Sequence, residues 1–314
     1  MSTNSTTLAA AQNIAWRVRW SGVAKDSGND NETMTGKTVV ITGASGGIGL
    51  ETARGIALRG ARIVMVVRSR ERGEAAIADI RRTVPDAAIE LVLADLYSLD
   101  AVRAAGAELR AKLERVDVLV NNAGMIHEAF DLTPDGFERT FALNHLAPFL
   151  LTYELRELLA AAAPARVVTV SSMGHRFARF TWESMATEWK GEIAAYGTSK
   201  LCNIWFAKEA ARRMAPDRVT SNALHPGTVA SGFGSTTGSW LFKHGAKLVR
   251  PFLKTTEEGA RTSIYLASSP EVAATTGEFF DRCKVVAPSR RARDDASARR
   301  LWELSERLTG ITWA

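Results

Sequence analysis

The sequence has little cysteine and no long apolar run. Two cysteines, Cys202 and Cys283, occur among 314 residues, which is too few for a disulfide framework and fits a reducing cytoplasm. No stretch approaches the roughly 18 consecutive apolar residues that cross a bilayer. The basic start and apolar run of a secretory signal are also missing. The sequence therefore predicts a cytoplasmic protein without a transmembrane segment.

Metal-ligand and nucleic-acid patterns are absent as well. None of the five histidines has a partner at metal-ligand spacing, so we predict no metal site. The net charge is +6, but Asp294 and Asp295 interrupt the basic cluster near the carboxyl terminus, and a nucleic-acid surface would interleave aromatic residues there. Leu301, Leu304 and Leu308 follow at helical spacing. This pattern predicts a docked helix with a solvated basic face and no nucleic-acid partner.

Apolar, β-branched runs alternate with helical patterns along most of the chain. Such alternation predicts right-handed βαβ units, and hence a doubly wound parallel sheet of the Rossmann type in a single α/β domain. We assign this domain to residues 36–314, with a substrate loop at about 229–255 and a flexible polar arm at 1–35. The predicted strands are 37–42, 62–67, 89–94, 116–121, 166–171, 218–224 and 278–281.

A glycine-rich turn follows the first predicted strand. Gly43, Gly47 and Gly49 lack side chains, so the backbone there can approach a pyrophosphate, whose charge the following helix N-terminus favours. Ser45 and Ile48 complete this candidate cofactor-binding loop. Its spacing is G-x-x-x-G-x-G and departs from the usual G-x-G-x-x-G fingerprint. A turn without a ligand is the alternative.

A tyrosine and a lysine stand four residues apart in the segment Tyr196-Gly197-Thr198-Ser199-Lys200. On a helix this spacing places both side chains on one face. A free phenol has a pKa of about 10, and a nearby ammonium would favour the phenolate and bring this pKa toward the working range. The spacing alone is weakly specific, but with a cofactor loop upstream it predicts a catalytic pair.

These motifs resemble the short-chain dehydrogenase/reductase family, from about Gly36 to Gly310 and in the family's order. The matching motifs are Thr42-Gly43-x-x-x-Gly47-x-Gly49, Asp95-Leu96, Asn121-Asn122-Ala123-Gly124, Asn144, Ser172, Tyr196-x-x-x-Lys200 and Pro226-Gly227. Three further segments look most like the retinol dehydrogenase-like branch: Asn144-His145-Leu146, Leu224-His225-Pro226-Gly227 and Arg299-Arg300-Leu301-Trp302.

The resemblance implies catalytic roles for four side chains. Tyr196 would exchange a proton with the substrate oxygen, and Ser172 would donate a hydrogen bond to the same atom. Lys200 would bond the nicotinamide ribose and stabilise the tyrosinate. Asn144, in a long helix expected after 133–135, would hold a water that relays the proton. The preceding serine is the alternative to Ser172, although only one of two neighbours on a strand faces the site.

The same resemblance implies cofactor contacts beyond the glycine loop. The expected contacts are Asp95 and Leu96 at the adenine, Asn122, Ala123 and Gly124 along the dinucleotide, and Pro226, Gly227 and Thr228 at the nicotinamide. Tyr196 and Lys200 would also touch the cofactor. Asn-Ala-Gly and Pro-Gly segments are common turn formers, so ordinary turn chemistry is the alternative for each.

The end of the second predicted strand favours one cofactor type. NAD-preferring relatives carry an acid where this chain has Val67, and Arg68 follows. An acid would repel a 2′-phosphate, whereas a guanidinium can bind it bidentately. Arg70 and Arg72 add positive potential, although Gly46 stands where some NADP-dependent relatives carry a base. We therefore favour NADP(H) over NAD(H).

The resemblance implies a small apolar alcohol or carbonyl substrate, such as a retinoid, a steroid or a long-chain aldehyde. Residues 239–253 form an amphipathic stretch, which would suit a lid, a peripheral membrane contact or a docked helix. Four aromatic residues before Tyr196 would suit a wall of the substrate pocket. They are Phe177, Phe180, Trp182 and Trp189.

Three functions are compatible with these residues. We predict an NADP(H)-dependent oxidoreductase that interconverts an alcohol and a carbonyl by hydride transfer. A reductase of carbon–carbon double bonds, as in protochlorophyllide reductases, would use the same Tyr196 and Lys200. A non-catalytic NADP(H)-binding scaffold is the third, and the complete catalytic set argues against it. Relatives often form homo-oligomers through the helices that carry Asn144 and Tyr196, so a homo-oligomer is also an option.

Overall fold

The computed structural model describes residues 33–188, 190–228 and 254–313. Nearly all of the predicted arm at 1–35, the aromatic residue Trp189 and most of the predicted substrate loop at 229–255 lie outside these residues. The domain boundaries and the role of the loop therefore stay predictions.

A mostly parallel sheet lies at the centre of the described part of the chain. Its eight strands have the order β3-β2-β1-β4-β5-β6-β7-β8, and only β7 and β8 are antiparallel neighbours. The order reverses between β1 and β4, which is the switch point where doubly wound sheets bind ligands. The strands are β1 (Thr38–Thr42), β2 (Arg62–Val67), β3 (Ile89–Leu93), β4 (Val118–Asn121), β5 (Ala165–Val170), β6 (Val219–His225), β7 (Phe279–Asp281) and β8 (Lys284–Val285).

Helices cover both faces of the sheet, which confirms the predicted Rossmann architecture. An apolar layer with Ile56, Ile80 and Ile264 lies under α1, α2 and α7. The opposite layer, with Phe149 and Trp302, lies under α3, α4, α6 and α8. No described helix is long and apolar enough to cross a membrane. The helices are α1 (Gly47–Ala57), α2 (Arg70–Arg81), α3 (Leu99–Lys112), α4 (Arg139–Phe141, Ala142–Leu146 and Ala147–Glu154 in succession), α5 (Arg156–Ala161), α6 (Glu192–Arg213), α7 (Thr256–Ser268) and α8 (Asp295–Thr309).

Helix α4 begins later than the sequence predicted. Residues 133–135 form a turn that continues into Gly136, whose φ is +81°. The helix starts at Arg139 because the carboxylate of Glu138 accepts hydrogen bonds from the N–H groups of Thr140 and Phe141, both at 2.8 Å. Its middle segment, Ala142–Leu146, is a π-helical turn, and this turn carries Asn144.

Candidate active site

The glycine-rich loop joins β1 to α1 and packs closely on the end of β4. A Cβ on Gly49 would lie 2.4 Å from Asn122 Nδ2 and 2.5 Å from the Gly43 carbonyl oxygen, so only glycine fits there. A Cβ on Gly46 would meet nothing nearer than Arg72 Nη2, at 4.0 Å. The loop is therefore closed toward the sheet and open on its outer side. This is the shape that a pyrophosphate needs, and the residues present fit a dinucleotide.

Thr42 and Asn122 connect the glycine loop to the segment after β4. The Thr42 hydroxyl oxygen accepts the N–H groups of Asn122 and Ala123, each at 3.0 Å. Asn122 Nδ2 donates to the Thr42 carbonyl oxygen at 2.9 Å. Thr42 was not among the site residues predicted from the sequence. Its signal would have been a hydroxyl residue on the last position of the strand, just before the first glycine.

Ser172 follows β5 and faces Tyr196. The two hydroxyl groups are hydrogen-bonded, and the Ser172 oxygen also accepts the Gly174 N–H at 3.0 Å. Ser171 points elsewhere, because its hydroxyl donates to the Lys200 carbonyl oxygen at 2.6 Å. A Cβ on Gly174 would lie 3.1 Å from Tyr196 Cε1, so this glycine allows the tyrosine ring to approach.

Lys200 and Asn144 converge on Gly124. Lys200 Nζ and Asn144 Oδ1 each lie 3.1 Å from the position that a Cβ on Gly124 would take. The ammonium donates to the Val170 carbonyl oxygen at 2.9 Å and lies 5.6 Å from the centroid of the Tyr196 ring. The structure thus brings the four predicted catalytic side chains to the carboxyl edge of the sheet, beside the glycine loop.

Hydrogen bonds within the protein occupy nearly all donor and acceptor positions of the Asn144 side chain. Its Nδ2 donates to the Met125 carbonyl oxygen and to Ser199 Oγ, both at 2.9 Å, and its Oδ1 accepts the Met125 N–H at 2.8 Å. Only the second lone pair of Oδ1 is left to hold the predicted water. Asn144 therefore ties the segment after β4 to α6, where Ser199 in turn donates to the Tyr196 carbonyl oxygen at 2.8 Å.

Burial sets the proton affinities of the catalytic pair. It lowers the pKa of Lys200 to about 7 and raises the pKa of Tyr196 to about 12, with the Ser172 hydrogen bond acting in the opposite direction on the tyrosine. The expectation that Lys200 brings the pKa of Tyr196 down is therefore wrong for the chain itself. Desolvation disfavours both charged forms more strongly than the pair favours them.

His175 braces the loop after β5. Its Nδ1 donates to the Ser172 carbonyl oxygen at 2.7 Å, and its Nε2 accepts the Ser289 N–H at 3.0 Å. One neutral tautomer satisfies both bonds, and burial lowers the pKa of His175 in agreement with that form. The bond to Ser289 joins residues 114 positions apart, so no local sequence pattern indicates this role.

The remaining predicted cofactor residues follow the carboxyl ends of other strands. Arg68 is exposed after β2, and after β3 Asp95 is exposed while Leu96 is buried. After β6 the chain turns at Pro226 and Gly227, whose φ is +92°, and Thr228 is exposed. Ser45 and Ile48 lie in and just after the glycine loop, both partly buried. All these positions share the sheet edge that carries the catalytic side chains.

The predicted aromatic wall of the pocket is wrong for two of its members. Phe180 and Trp182 pack on Trp205 of α6, with ring centroids 6.0 and 5.7 Å away. Arg291 and Arg300 lie over the outer faces of these rings. Of the three described aromatic residues, Phe177 alone is largely exposed, at 62%. The sequence could not distinguish core packing from a pocket because both require apolar rings.

A doubly wound sheet with a glycine loop at its switch point, beside a buried tyrosine–lysine pair, defines the class of dinucleotide-dependent oxidoreductases. A family model described as short chain dehydrogenase matches residues 37–242. The chain belongs to the short-chain dehydrogenase/reductase family. It is an NAD(P)-dependent oxidoreductase that acts on CH–OH and C=O groups and is retinol dehydrogenase-like.

Curated relatives match most of the chain. Retinol dehydrogenase 12 of Mus musculus is 40% identical over 284 residues, which cover 90% of this chain and 89% of that protein. Retinol dehydrogenase 14 of Homo sapiens is 40% identical over 306 residues, with the same coverage of 90% and 89%. The human WW domain-containing oxidoreductase is 39% identical over 285 residues, which cover 88% of this chain and 68% of that protein.

Solved structures share the fold. A protein from Mycobacterium paratuberculosis has a TM-score of 0.72 and 34% identity, covering 91% of this chain and 97% of its own. A protein from Beutenbergia cavernae, described as an NAD(P)-dependent gluconate 5-dehydrogenase, was solved with NADP bound. It has a TM-score of 0.66 and 26% identity, covering 80% of this chain and 97% of its own.

Proposed function

We propose that the chain is an NADP(H)-dependent oxidoreductase that interconverts an alcohol and a carbonyl on a small apolar substrate. The convergence of Ser172, Tyr196, Lys200 and Asn144 beside the glycine loop is the observation that carries this proposal. The similarity to retinol dehydrogenases 12 and 14 supports a lipophilic alcohol or aldehyde, with retinoids as the first substrates to test.

The proposed chemistry follows from the protonation states of the site. Bound NADP(H) supplies or accepts the hydride. Because burial keeps Tyr196 protonated, its hydroxyl is ready to give a proton to the carbonyl oxygen in reduction, and the phenolate takes it back in oxidation. Ser172 donates a hydrogen bond to the same oxygen. Lys200, with a pKa of about 7, holds or releases a proton near neutral pH and so compensates charge on Tyr196.

Two arginines support the preference for NADP(H). Within the described part of the chain, Arg68 and Arg72 form no ion pair, whereas Arg70 pairs with Glu74 at 3.7 Å. Arg72 lies in the first turn of α2, and its guanidinium extends to the glycine loop at Gly46. The guanidinium of Arg72 therefore lies beside Gly46, the loop position where some NADP-dependent relatives carry a basic residue. Two guanidinium groups without an ion pair among the described residues, Arg68 after β2 and Arg72 in the first turn of α2, favour a 2′-phosphate.

Turnover tests the reaction. NADPH and NADH oxidation should be followed with retinal, steroid ketones, aliphatic aldehydes, quinones and an enone, in wild type and Tyr196→Phe. We expect NADPH-dependent reduction of an apolar carbonyl that the variant loses by at least about 100-fold, while its affinity for NADPH changes little. Reduction of the enone double bond alone would favour the second predicted function. Cofactor binding without turnover on any substrate would favour the scaffold.

Three single substitutions test the cofactor preference. Arg68→Gln and Arg72→Gln should each raise the NADPH dissociation constant by about tenfold and leave that of NADH unchanged, because only NADPH carries the 2′-phosphate. Arg70→Gln is the matched control, since this arginine already has a carboxylate partner. Equal affinities for NADPH and NADH in the wild type would contradict the preference. Cytoplasmic location, homo-oligomer formation and peripheral membrane contact stay predictions.

A further inference from the structure

Lys254 lies across the turn that follows β6. Its N–H donates to the Thr228 carbonyl oxygen at 2.9 Å. Its side chain runs over Gly227, where a Cβ would lie 2.6 Å from Lys254 Cδ and 2.8 Å from its Nζ. The glycine at this position, with a φ of +92°, therefore makes the room that the lysine side chain occupies. The lysine is placed by the fold and does not extend freely from the surface.

The described residues supply no counter-ion to the ammonium of Lys254. Among the residues that the structure describes, its Nζ forms no ion pair and no hydrogen bond. His225 interacts electrostatically with Lys254 and also with Asp281, Arg282 and His175. A half-buried ammonium without a partner loses part of its hydration and gains nothing in return, so an incoming anion is favoured beside it.

The packing of the helix after Lys254 on α1 indicates which anion would bind beside the Lys254 ammonium. Helix α7 begins two residues after Lys254 and packs along α1. Glu257, in the first turn of α7, interacts electrostatically with Glu51, which is two residues beyond Gly49. The start of α7 therefore lies beside the start of α1, where the glycine loop opens. Lys254 thus lies on the turn after β6, two residues before a helix that packs along α1, the helix that the glycine loop opens.

We propose that Lys254 is a cofactor-binding residue that contacts the pyrophosphate of the dinucleotide from the β6 side. The inference rests on the proposed function, because it requires that the glycine loop binds a dinucleotide. The loop backbone and the N-terminus of α1 would contact the pyrophosphate from one side, and the ammonium would contact it from the other. A point charge on a flexible stem suits phosphate oxygens without fixing their orientation.

Binding of three ligands to the full chain tests this role without turnover. The ligands are NADPH, ADP-ribose 2′-phosphate, which keeps the pyrophosphate but lacks nicotinamide, and adenosine 2′-monophosphate, which lacks both. Calorimetric titration should show that Lys254→Met weakens the first two by about tenfold and leaves the third within twofold. Lys254→Arg should recover most of the loss. Lys284→Met, on exposed β8, is the matched control and should bind all three ligands as the wild type does.

The outcomes separate the two proposals. A wild-type chain that binds no NADPH contradicts the proposed function itself. A wild-type chain that binds NADPH, with an unaffected Lys254→Met variant, overturns only the role of Lys254. Equal weakening of all three ligands also overturns it, because adenosine 2′-monophosphate would then report a change in the fold. If Lys254→Met weakened the binding of NADPH alone, Lys254 would contact the nicotinamide half and not the pyrophosphate. This result would overturn the inference as stated.

Discussion

Lys200 is buried, and among the described residues its ammonium has one neutral hydrogen-bond partner, the Val170 carbonyl oxygen. Its pKa falls from 10.5 to about 7 on folding because desolvation disfavours the ammonium. Between these two values the unfolded chain binds a proton that the folded chain lacks, so Lys200 makes the free energy of unfolding rise with pH across this window. Below about pH 7 both states are protonated and this dependence ends.

We predict that wild type gains stability relative to Lys200→Met between pH 7 and pH 9, with a slope of at most about 1.4 kcal/mol per pH unit. Urea unfolding at pH 7, 8 and 9 measures the difference. Cys202, whose pKa burial raises, is common to both proteins and cancels. Tyr196 titrates only above this range in either state. Parallel stability curves for the two proteins would show that Lys200 keeps its ordinary pKa in the fold.

Substitution by alanine should destabilise the protein at one glycine of the loop and have little effect at another. Gly49→Ala places a methyl group 2.4 Å from Asn122 Nδ2 and 2.5 Å from the Gly43 carbonyl oxygen. We expect it to lower the free energy of unfolding by about 3 kcal/mol and to abolish NADPH binding. Gly46→Ala meets only Arg72 Nη2, at 4.0 Å, and the backbone there is extended. This control should fold as the wild type does; similar losses for both variants would contradict the steric explanation.

At the scale of the elements, the π-helical turn of α4 positions the active site. Asn144 lies in that turn and is fully buried. Its three hydrogen bonds fasten the Met125 backbone and Ser199 of α6 to each other. The site therefore depends on the contact of α4 with α6 and with the segment after β4 more than on any single loop.

Asn144→Asp should disrupt that connection. A carboxylate cannot donate to the Met125 carbonyl oxygen or to Ser199, and it brings a buried charge against the carbonyl. We expect a loss of about 3 kcal/mol in the free energy of unfolding, measured in urea at pH 7. Ser199→Ala removes one of the three bonds and should cost only about 1 kcal/mol. An aspartate variant no less stable than the alanine variant would contradict this role of Asn144.

At the scale of the whole molecule, an aromatic cluster docks α8 on α4 and α6. Trp302 is stacked on Phe206, with centroids 5.9 Å apart, and lies edge-on to Phe149 and Trp313 at 4.9 and 4.8 Å. Nearby, His145 Nε2 is 2.8 Å from Ser305 Oγ of α8. This docking covers the α6 face at Phe206, about three helical turns beyond Tyr196. The carboxyl-terminal helix therefore packs on the helix that carries the catalytic pair.

Trp302→Ala should cost about 3–5 kcal/mol of unfolding free energy, because a large buried ring is removed from a packed cluster. Trp302→Phe is the control. It keeps aromatic packing and removes an Nε1–H that has no acceptor among the described residues, so its cost should be clearly smaller. Thermal and urea unfolding measure both. Equal costs would contradict the prediction that aromatic ring packing holds α8 in place.

Much of the architecture was predictable from local patterns. All seven predicted strands occur within two residues of their predicted ends, because apolar β-branched runs and the glycines between them are local signals. Strand β8 was missed because it has only two residues, joined to β7 by Arg282 and Cys283 at positive φ. The start of α4 was missed because its cap is a glutamate side chain, an uncommon capping residue.

The sequence indicated which side chains come together in the candidate site, but it did not indicate their pKa values. Helical spacing placed Tyr196 and Lys200 together, and the family resemblance added Ser172 and Asn144. The direction of the tyrosine pKa was wrong because desolvation depends on everything packed around the side chain. Gly197 is a further local signal of the site, because a glycine inside a helix is costly. Here a Cβ would lie 2.7 Å from the Gly174 carbonyl oxygen.

The sequence by itself determined the order of strands and helices, the glycine loop and the chemical groups available for catalysis, since these follow from periodicity and side-chain identity along short stretches. Only the tertiary structure decided the proton affinities of Tyr196 and Lys200 and the placement of Arg72 over the glycine loop. It also decided the path of Lys254 across Gly227. These properties depend on burial and on contacts between residues far apart in the chain, and no local pattern carries that information.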